Sequence, residues 1–350
     1  MNRAILVLLR EEVGGQGRHI DPEDPATEAP QTARWTIAQR RANESPNMNL
    51  LADGLRGPDG GSVRDGVVGD LAEYHSLDPA RVIERCRRWE EESVEEWQAA
   101  PRDSAAGLAE FYDSVGSWSF DLLWYAYLQS VGYGYPQPTI TADRIGPADP
   151  AAGRSRLLDL GSGVGVTAQL FVALGYEVTL ADVSAPLLSF ARWRLEKRGV
   201  PATYLHLPAE LPENGFDVVT AVDVMAHVPD AEETARKLHR ALRPGGLFIA
   251  NFDVRRRSDR NAWHLYEDDL PLRWAVQRAG FAPVTLIDGI VWVYRARPTT
   301  GAGWQLRHGL AWLRLASPPA RGLRAIRRAL ARAALVTLHR MGRVKTSDPE

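Results

Sequence analysis

The chain has 350 residues, 45% of them apolar and 25% charged, a balance that suits one or two globular domains and excludes wholesale disorder, collagen repeats and coiled coil. Its net charge of -2 is unevenly spread: Gly289 to Ser347 holds no Asp or Glu but 12 Arg and Lys residues, which leaves -14 for the remainder. A basic tail on an acidic body bears on partners rather than on fold.

The longest early apolar run, Ala4 to Leu9, is followed at once by Glu11 and Glu12, too short for a signal-peptide core. No run nears the ~20 apolar residues that span a bilayer. Residues 1–70 read as a poorly ordered segment, because Gly14 to Gly69 is rich in Gly, Pro, Asp and Asn, with a short helix near Trp35 to Arg41. Residues 71–150 read as a helical cap. Val82, Cys86 and Trp89 share a helical face, and Glu90, Glu91, Glu92, Glu95 and Glu96 supply a solvated side. Phe111 to Val131 is strongly aromatic, with Phe111, Tyr112, Trp118, Phe120, Trp124, Tyr125 and Tyr127. These residues serve either as the cap's own core or as the lining of a substrate pocket. The single cysteine, Cys86, permits no intrachain disulfide and no multi-thiolate metal site, which points to the cytoplasm.

From Arg154 the chain alternates strand and helix: strands at Arg156–Leu160, Tyr176–Ala181, Ala202–Leu207, Phe216–Val222 and Leu247–Phe252, with helices between them and a helix over Asp268–Ala279. Ser184 and Asp230 are positioned to cap helices, and Gly175 and Gly199 to end them. Val284–Ile287 and Ile290–Tyr294 flank Asp288-Gly289, a hairpin signal expected to add an antiparallel edge. The expected fold is α/β, a Rossmann-like, mostly parallel sheet with an antiparallel C-terminal hairpin, preceded by the helical cap and followed by a basic helical tail over 298–350. Ligands of such sheets bind at the carboxyl ends of the strands.

Asp159-Leu160-Gly161-Ser162-Gly163-Val164-Gly165 falls where the first strand turns into a helix. Gly161 suits the tight turn, Gly163 a close approach to ligand, and Gly165 the packing of helix on sheet. A dinucleotide fingerprint requires a glycine where Val166 stands, so the spacing favours another nucleotide-like cofactor. Asp182, at the end of the second strand, can accept both hydroxyls of a ribose.

With Leu158–Gly165, Asp182, Ala209-Glu210-Leu211-Pro212, Phe216–Asp230 and Leu242–Gly246 in this order, residues 154–297 resemble a class I S-adenosylmethionine-dependent methyltransferase. The resemblance implies a seven-stranded sheet with one antiparallel strand and S-adenosylmethionine as cofactor. It implies Gly161 and Gly163 beside the methionine part and Asp182 at the ribose. Ala209 and Glu210 fall near the adenine, with Asp159, Ser162, Val183 and Asp223 completing the pocket. Tyr112 is expected to reach the methionine carboxylate from the cap. Where relatives often carry an acid before the Ala-Glu pair, this chain has Pro208.

Methyl transfer needs a base only if the nucleophile must lose a proton. His227, just after the fourth strand, is the candidate, with His264 second. The scattered histidines show no metal-binding spacing. The expected function is methyl transfer to a small-molecule acceptor in a biosynthetic pathway. Alternatives are a relative with non-methylating chemistry such as cyclisation, and a non-catalytic binding module. For the tail three readings stand: packing on the acidic body or a second copy as a homo-oligomer, an interfacial helix on anionic lipid, and nucleic-acid contact. The acidic body disfavours the last.

Overall fold

The computed structural model describes residues 43–57, 60–100, 105–131, 135–254 and 263–297; the helix expected near 35–41 and the basic tail lie outside them. The chain enters through helices α1 (Pro46–Leu55), α2 (Val63–His75), α3 (Pro79–Arg87), α4 (Trp89–Ala99), α5 (Ala105–Ser114), α6 (Trp118–Ser130) and α7 (Gln137–Ile145). Order therefore begins well before residue 71. Ser45 and Ser62 cap α1 and α2 with side-chain oxygens that accept from Asn47 N and Asp65 N. Met48, Leu51 and Leu55, then Val63, Val67 and Leu71, are buried in the main core.

The glycines that suggested disorder here are contact points. A Cβ on Gly66 would stand 2.3 Å from the Leu55 carbonyl oxygen, and one on Gly54 would stand 3.3 Å from Gln169. Asp70, 2% exposed, pairs with Arg194 at 3.2 Å and with Arg198 at 2.5 Å, and Arg194 also donates to the Gly54 carbonyl at 2.7 Å. Burial is the largest influence on the guanidinium of Arg194, which is brought down to about 9. Removing one member of such a buried pair costs ~3–5 kcal/mol, because the other charge is stranded. Charge clamps the early helices to the domain that follows them.

That domain is built on β1 (Arg156–Leu160), β2 (Glu177–Asp182), β3 (Thr203–His206), β4 (Phe216–Ala221), β5 (Leu242–Asn251), β6 (Phe281–Ile287) and β7 (Val291–Ala296), in spatial order β3-β2-β1-β4-β5-β7-β6. The first five pair in parallel, and β7 runs antiparallel to both neighbours. The seven-stranded mixed sheet, with one antiparallel strand and the C-terminal hairpin at its edge, is thus as expected. β7 turns back at Asp288-Gly289 and inserts between β5 and β6, so the edge is β6. Burial gives the reason: Val291, Val293 and Tyr294 are enclosed, whereas Val284 and Leu286 of β6 face solvent. The more apolar strand takes the inner place.

Successive strand residues face opposite ways. Leu157, Val218 and Ile249 join the core beneath α8 (Val166–Ala173), α9 (Ala185–Lys197) and the early helices. Leu158, Val219 and Phe248 join the core beneath α10 (Ala231–Ala241) and α11 (Leu270–Arg278). With both faces covered, the central strands read as apolar runs. The order reverses between β1 and β4, so the crevice at their carboxyl ends is where such a sheet takes its ligand.

Candidate active site

The glycine loop closes over the carboxyl end of β1 by spending its own amides. Gly161 N and Ser162 N both donate to the Ala181 carbonyl, at 2.7 and 3.3 Å. Gly163 N donates to Asp182 Oδ2 at 2.8 Å. All three glycines have positive φ, 63°, 50° and 72° for Gly161, Gly163 and Gly165, where a side chain costs ~1–2 kcal/mol. Gly165 leaves room for helix packing, since a Cβ there would stand 3.1 Å from Leu180 and 3.2 Å from Ala191. Three successive N–H groups turned inward make a poor phosphate cradle. What the loop leaves over is acceptors.

Two of these are sealed and without partner among the described residues, Asp159 Oδ2 and Ser162 Oγ. Asp159 Oδ1 accepts from the Thr220 hydroxyl at 2.7 Å, across the β1–β4 register. Burial pushes the Asp159 carboxyl up to about 7; the Thr220 bond opposes the rise and the Asp182 charge adds to it. Asp182 is likewise raised by burial, against the N–H groups of Ser184 and Gly163. Its two oxygens take one backbone bond each, at 2.8 and 2.9 Å, and a carboxylate oxygen can accept a second.

The cap sits directly on this loop. Ala185 N at the start of α9 donates to Asp113 Oδ1 at 3.1 Å, and His206 Nε2 lies 2.9 Å from the same oxygen. The Ser184 hydroxyl donates to Val115 O at 3.4 Å. A Cβ on Gly163 would stand 2.9 Å from Leu122 Cδ1, on α6. Val183 is exposed on the rim, as are Ala209 and Glu210 beyond β3. Ala209 N closes a turn onto His206 O, and neither Ala209 nor Glu210 is drawn into the loop.

After β4 the chain reaches Asp223, at φ 56°. Its amide donates to Asn251 Oδ1 at 2.6 Å, and the Asn251 amide donates back to its carboxylate. Gln137 Nε2 donates to Asp223 Oδ2 at 3.2 Å, and Gln129 Nε2 to Gln137 Oε1 at 2.7 Å. The cap is tied by amides to the ends of β4 and β5. Asn251, Gln137 and Gln129 were not foreseen; their one signal is an uncharged amide at a buried position, which sequence cannot distinguish from a surface one.

His227 ends a single 3-10 turn, and its Nδ1 lies 3.0 Å from the Trp263 carbonyl. A carbonyl only accepts, so Nδ1 carries hydrogen. The His264 ring centroid is 4.7 Å away, and His264 Nε2 lies 3.9 Å from Asp253 Oδ2. Trp263 joins Trp97, Phe111, Tyr112 and Trp118 in one aromatic cluster, with Trp118 5.7 Å from Tyr112 and 6.1 Å from Trp263. Burial holds the Tyr112 phenol well above its usual range, and its oxygen and the Trp118 indole nitrogen are both sealed with no partner among the described residues. A buried donor left so costs ~1–3 kcal/mol.

The aromatic run of the cap therefore divides. Phe120, Trp124 and Tyr127 are core, while Phe111, Tyr112 and Trp118 gather toward the strand ends. A groove of about 450 Å³, lined by Glu96, Phe111, Ser114, Val115 and Ser117, opens beside them. Another, of about 230 Å³ against Asn214, His239, Leu242 and Arg297, lies at the amino ends of β4 and β5, the wrong end of the sheet for the chemistry. Among the described residues no group of three His, Cys, Asp or Glu is placed to hold a metal ion. No described helix is long and apolar enough to cross a membrane.

Residues 158–250 match the family model of a methyltransferase domain. A ubiquinone biosynthesis O-methyltransferase of Ruegeria pomeroyi is 37% identical over 133 residues, 37% of this chain and 53% of that one. The methyltransferase GfsG of Streptomyces halstedii is 32% identical over 169 residues, 42% of this chain and 58% of that one. The chain thus spans about half the length of the curated relatives it matches. Among solved structures, phosphoethanolamine N-methyltransferase 2 of Haemonchus contortus, in complex with S-adenosyl-L-methionine, is 23% identical at a TM-score of 0.40, covering 50% of this chain and 44% of that one.

Proposed function

We propose that this chain, which carries a class I S-adenosylmethionine-dependent methyltransferase domain, transfers a methyl group to a small organic acceptor in a biosynthetic pathway. The observation that supports this reading is the glycine loop, whose amides are spent internally while Asp159 Oδ2 and Ser162 Oγ are left sealed and unpartnered. Such a loop suits a cation rather than a phosphate. S-adenosylmethionine fits it: the ammonium of its methionine part is a donor for these acceptors, and the two free lone-pair positions of Asp182 suit a ribose diol.

We assign Asp159, Gly161, Ser162 and Gly163 to the methionine part, Asp182 and Val183 to the ribose, and Ala209 and Glu210 to the adenine. Asp223 lines the pocket, fixed by Asn251 and Gln137. The Tyr112 hydroxyl is the donor for the methionine carboxylate. When bound, the cofactor supplies a methyl on a sulfonium, which departs as a neutral thioether. The chain's share is to bind, orient and exclude water, holding the nucleophile in line at contact distance. We assign His227 as the group that receives the acceptor's proton; the names of the relatives favour oxygen as the attacking atom.

The test is calorimetric binding of S-adenosylmethionine and S-adenosylhomocysteine to wild type and Asp182→Ala, followed by labelled methyl transfer into an extract. Micromolar binding lost in the variant, with label transferred, is expected. Binding without transfer would move the reading to non-methylating chemistry or a binding module, and no binding by folded protein would end it. For the tail we propose contact with anionic lipid, supported by its 10 basic residues and by Trp304 and Trp312 among them. Pairing of two copies through the tail would show as a mass change on its truncation. A cytoplasmic setting is supported by the lone Cys86, buried with its thiol pushed up to about 12.

A further inference from the structure

Trp118 takes no part in the cofactor assignments above, yet its indole N–H is sealed from solvent and has no partner among the described residues. It opens α6, and Leu122, one turn further on the same helical face, is the side chain that lies against Gly163. Across its ring stands Trp263, 6.1 Å away, whose carbonyl fixes His227 Nδ1. Tyr112 contacts the Trp118 ring at 5.7 Å, edge to face. Trp118 thus neighbours, through Leu122, the glycine loop and, through Trp263, the segment that holds the candidate base. Phe111, whose ring centroid is 5.7 Å from that of Trp118, lines the neighbouring groove.

We propose that Trp118 is a specificity-determining residue: its indole N–H donates to a second oxygen on the acceptor, one that is only a hydrogen-bond acceptor, such as a carbonyl or ether oxygen. An indole nitrogen donates and cannot accept, so a hydroxyl at that place serves only through its lone pair, and a methylene leaves the donor stranded. Sites with a buried donor reject analogues lacking its partner far more strongly than they prefer a matching one, because the donor remains unpaired. The ligand class is thus a flat, oxygenated hydroxy compound, its ring against Trp118 and Trp263, its reacting hydroxyl toward His227 and its second oxygen on the indole. This rests on the methyltransferase reading and adds the chemistry of its acceptor.

The probes are the three hydroxyacetophenones against the three ethylphenols, pairs that differ by one carbonyl oxygen. Each is titrated by calorimetry into full-length protein saturated with S-adenosylhomocysteine, and offered as methyl acceptor with labelled S-adenosylmethionine. Wild type is expected to prefer the carbonyl member of at least one pair by about tenfold or more. Trp118→Phe, which keeps a ring and loses the N–H, should bring that preference near unity while S-adenosylhomocysteine affinity stays within about twofold. Trp118→His, which restores an N–H, should recover part of it, and an unchanged melting temperature in either variant separates recognition from unfolding. The inference is overturned if wild type binds S-adenosylhomocysteine but discriminates within no pair, if Trp118→Phe keeps the preference, or if that variant loses cofactor affinity to the same degree. Absence of cofactor binding by wild type would instead refute the methyltransferase reading itself.

Discussion

Asp159→Asn should gain stability over the wild-type ligand-free protein as pH rises. Asp159 is 3% exposed, has one hydrogen-bond donor in Thr220, and keeps its proton up to about 7 instead of releasing it near 3.8. That gap corresponds to about 4 kcal/mol of preference for the neutral form in the folded chain. The folded value lies above the unfolded one, so this group's contribution is complete below about pH 4 and is lost as pH rises toward and through about 7. Integrated between pH 5 and pH 8, wild type loses roughly 2–3 kcal/mol that a neutral asparagine does not lose. Thr220 can donate to Asn Oδ1 as it does to Asp Oδ1, and the Asn amide that replaces the unpartnered Oδ2 adds a cost that does not vary with pH, so the pH-dependent part of the difference reports the charge. Thermal or urea unfolding of both proteins at pH 5 and pH 8 measures the difference; for a domain of this size it amounts to about 5–10 °C in melting temperature. Parallel pH dependences would refute the reasoning, because Asp159 would then ionise in the ordinary carboxylate range and burial would not govern it. The same variant should bind S-adenosylmethionine less well, the outcome that the proposed pairing of Asp159 with the cofactor's ammonium requires.

Asp182→Ala removes the acceptor of Gly163 N and Ser184 N together; bonds to a charged acceptor contribute ~1.5–3 kcal/mol each, so a loss of cofactor affinity of about 100-fold is expected by calorimetry. Gly66→Ala should destabilise by at least ~1–3 kcal/mol, because its Cβ would meet the Leu55 carbonyl at 2.3 Å. Gly69→Ala, three residues on in the same helix with nothing within 4 Å, should stabilise by up to ~1 kcal/mol; equal effects in urea unfolding would contradict the close approach of α1 and α2. His227→Gln should lower kcat by ~10²–10⁴, with cofactor affinity unchanged. A kcat close to wild type would remove His227 as the base.

The sequence alone determined the domain from β1 onward. There the information is local: a buried strand reads as an apolar run, a loop that must bend tightly reads as glycine at fixed offsets, and Ser184 and Asp230 announce helices by satisfying their first N–H groups. The grouping of Asp159, the glycine loop and Asp182 at the strand ends was legible for the same reason, since they belong to one β-α-β unit. Tertiary structure decided what depends on partners far along the chain. Gly54, Gly66 and Asp70 read as a loose segment, and only contact with Leu55, Gln169, Arg194 and Arg198 turns them into a clamp. The insertion of β7 between β5 and β6 depends on which strand has more apolar surface to hide, a comparison no single strand encodes. Trp118 reads as one aromatic among many, and only its contacts with Tyr112 and Trp263 and its sealed N–H set it apart. Periodicity and turn chemistry are carried by neighbours in sequence; burial of a charge, a donor or an edge is set by what the fold brings from elsewhere.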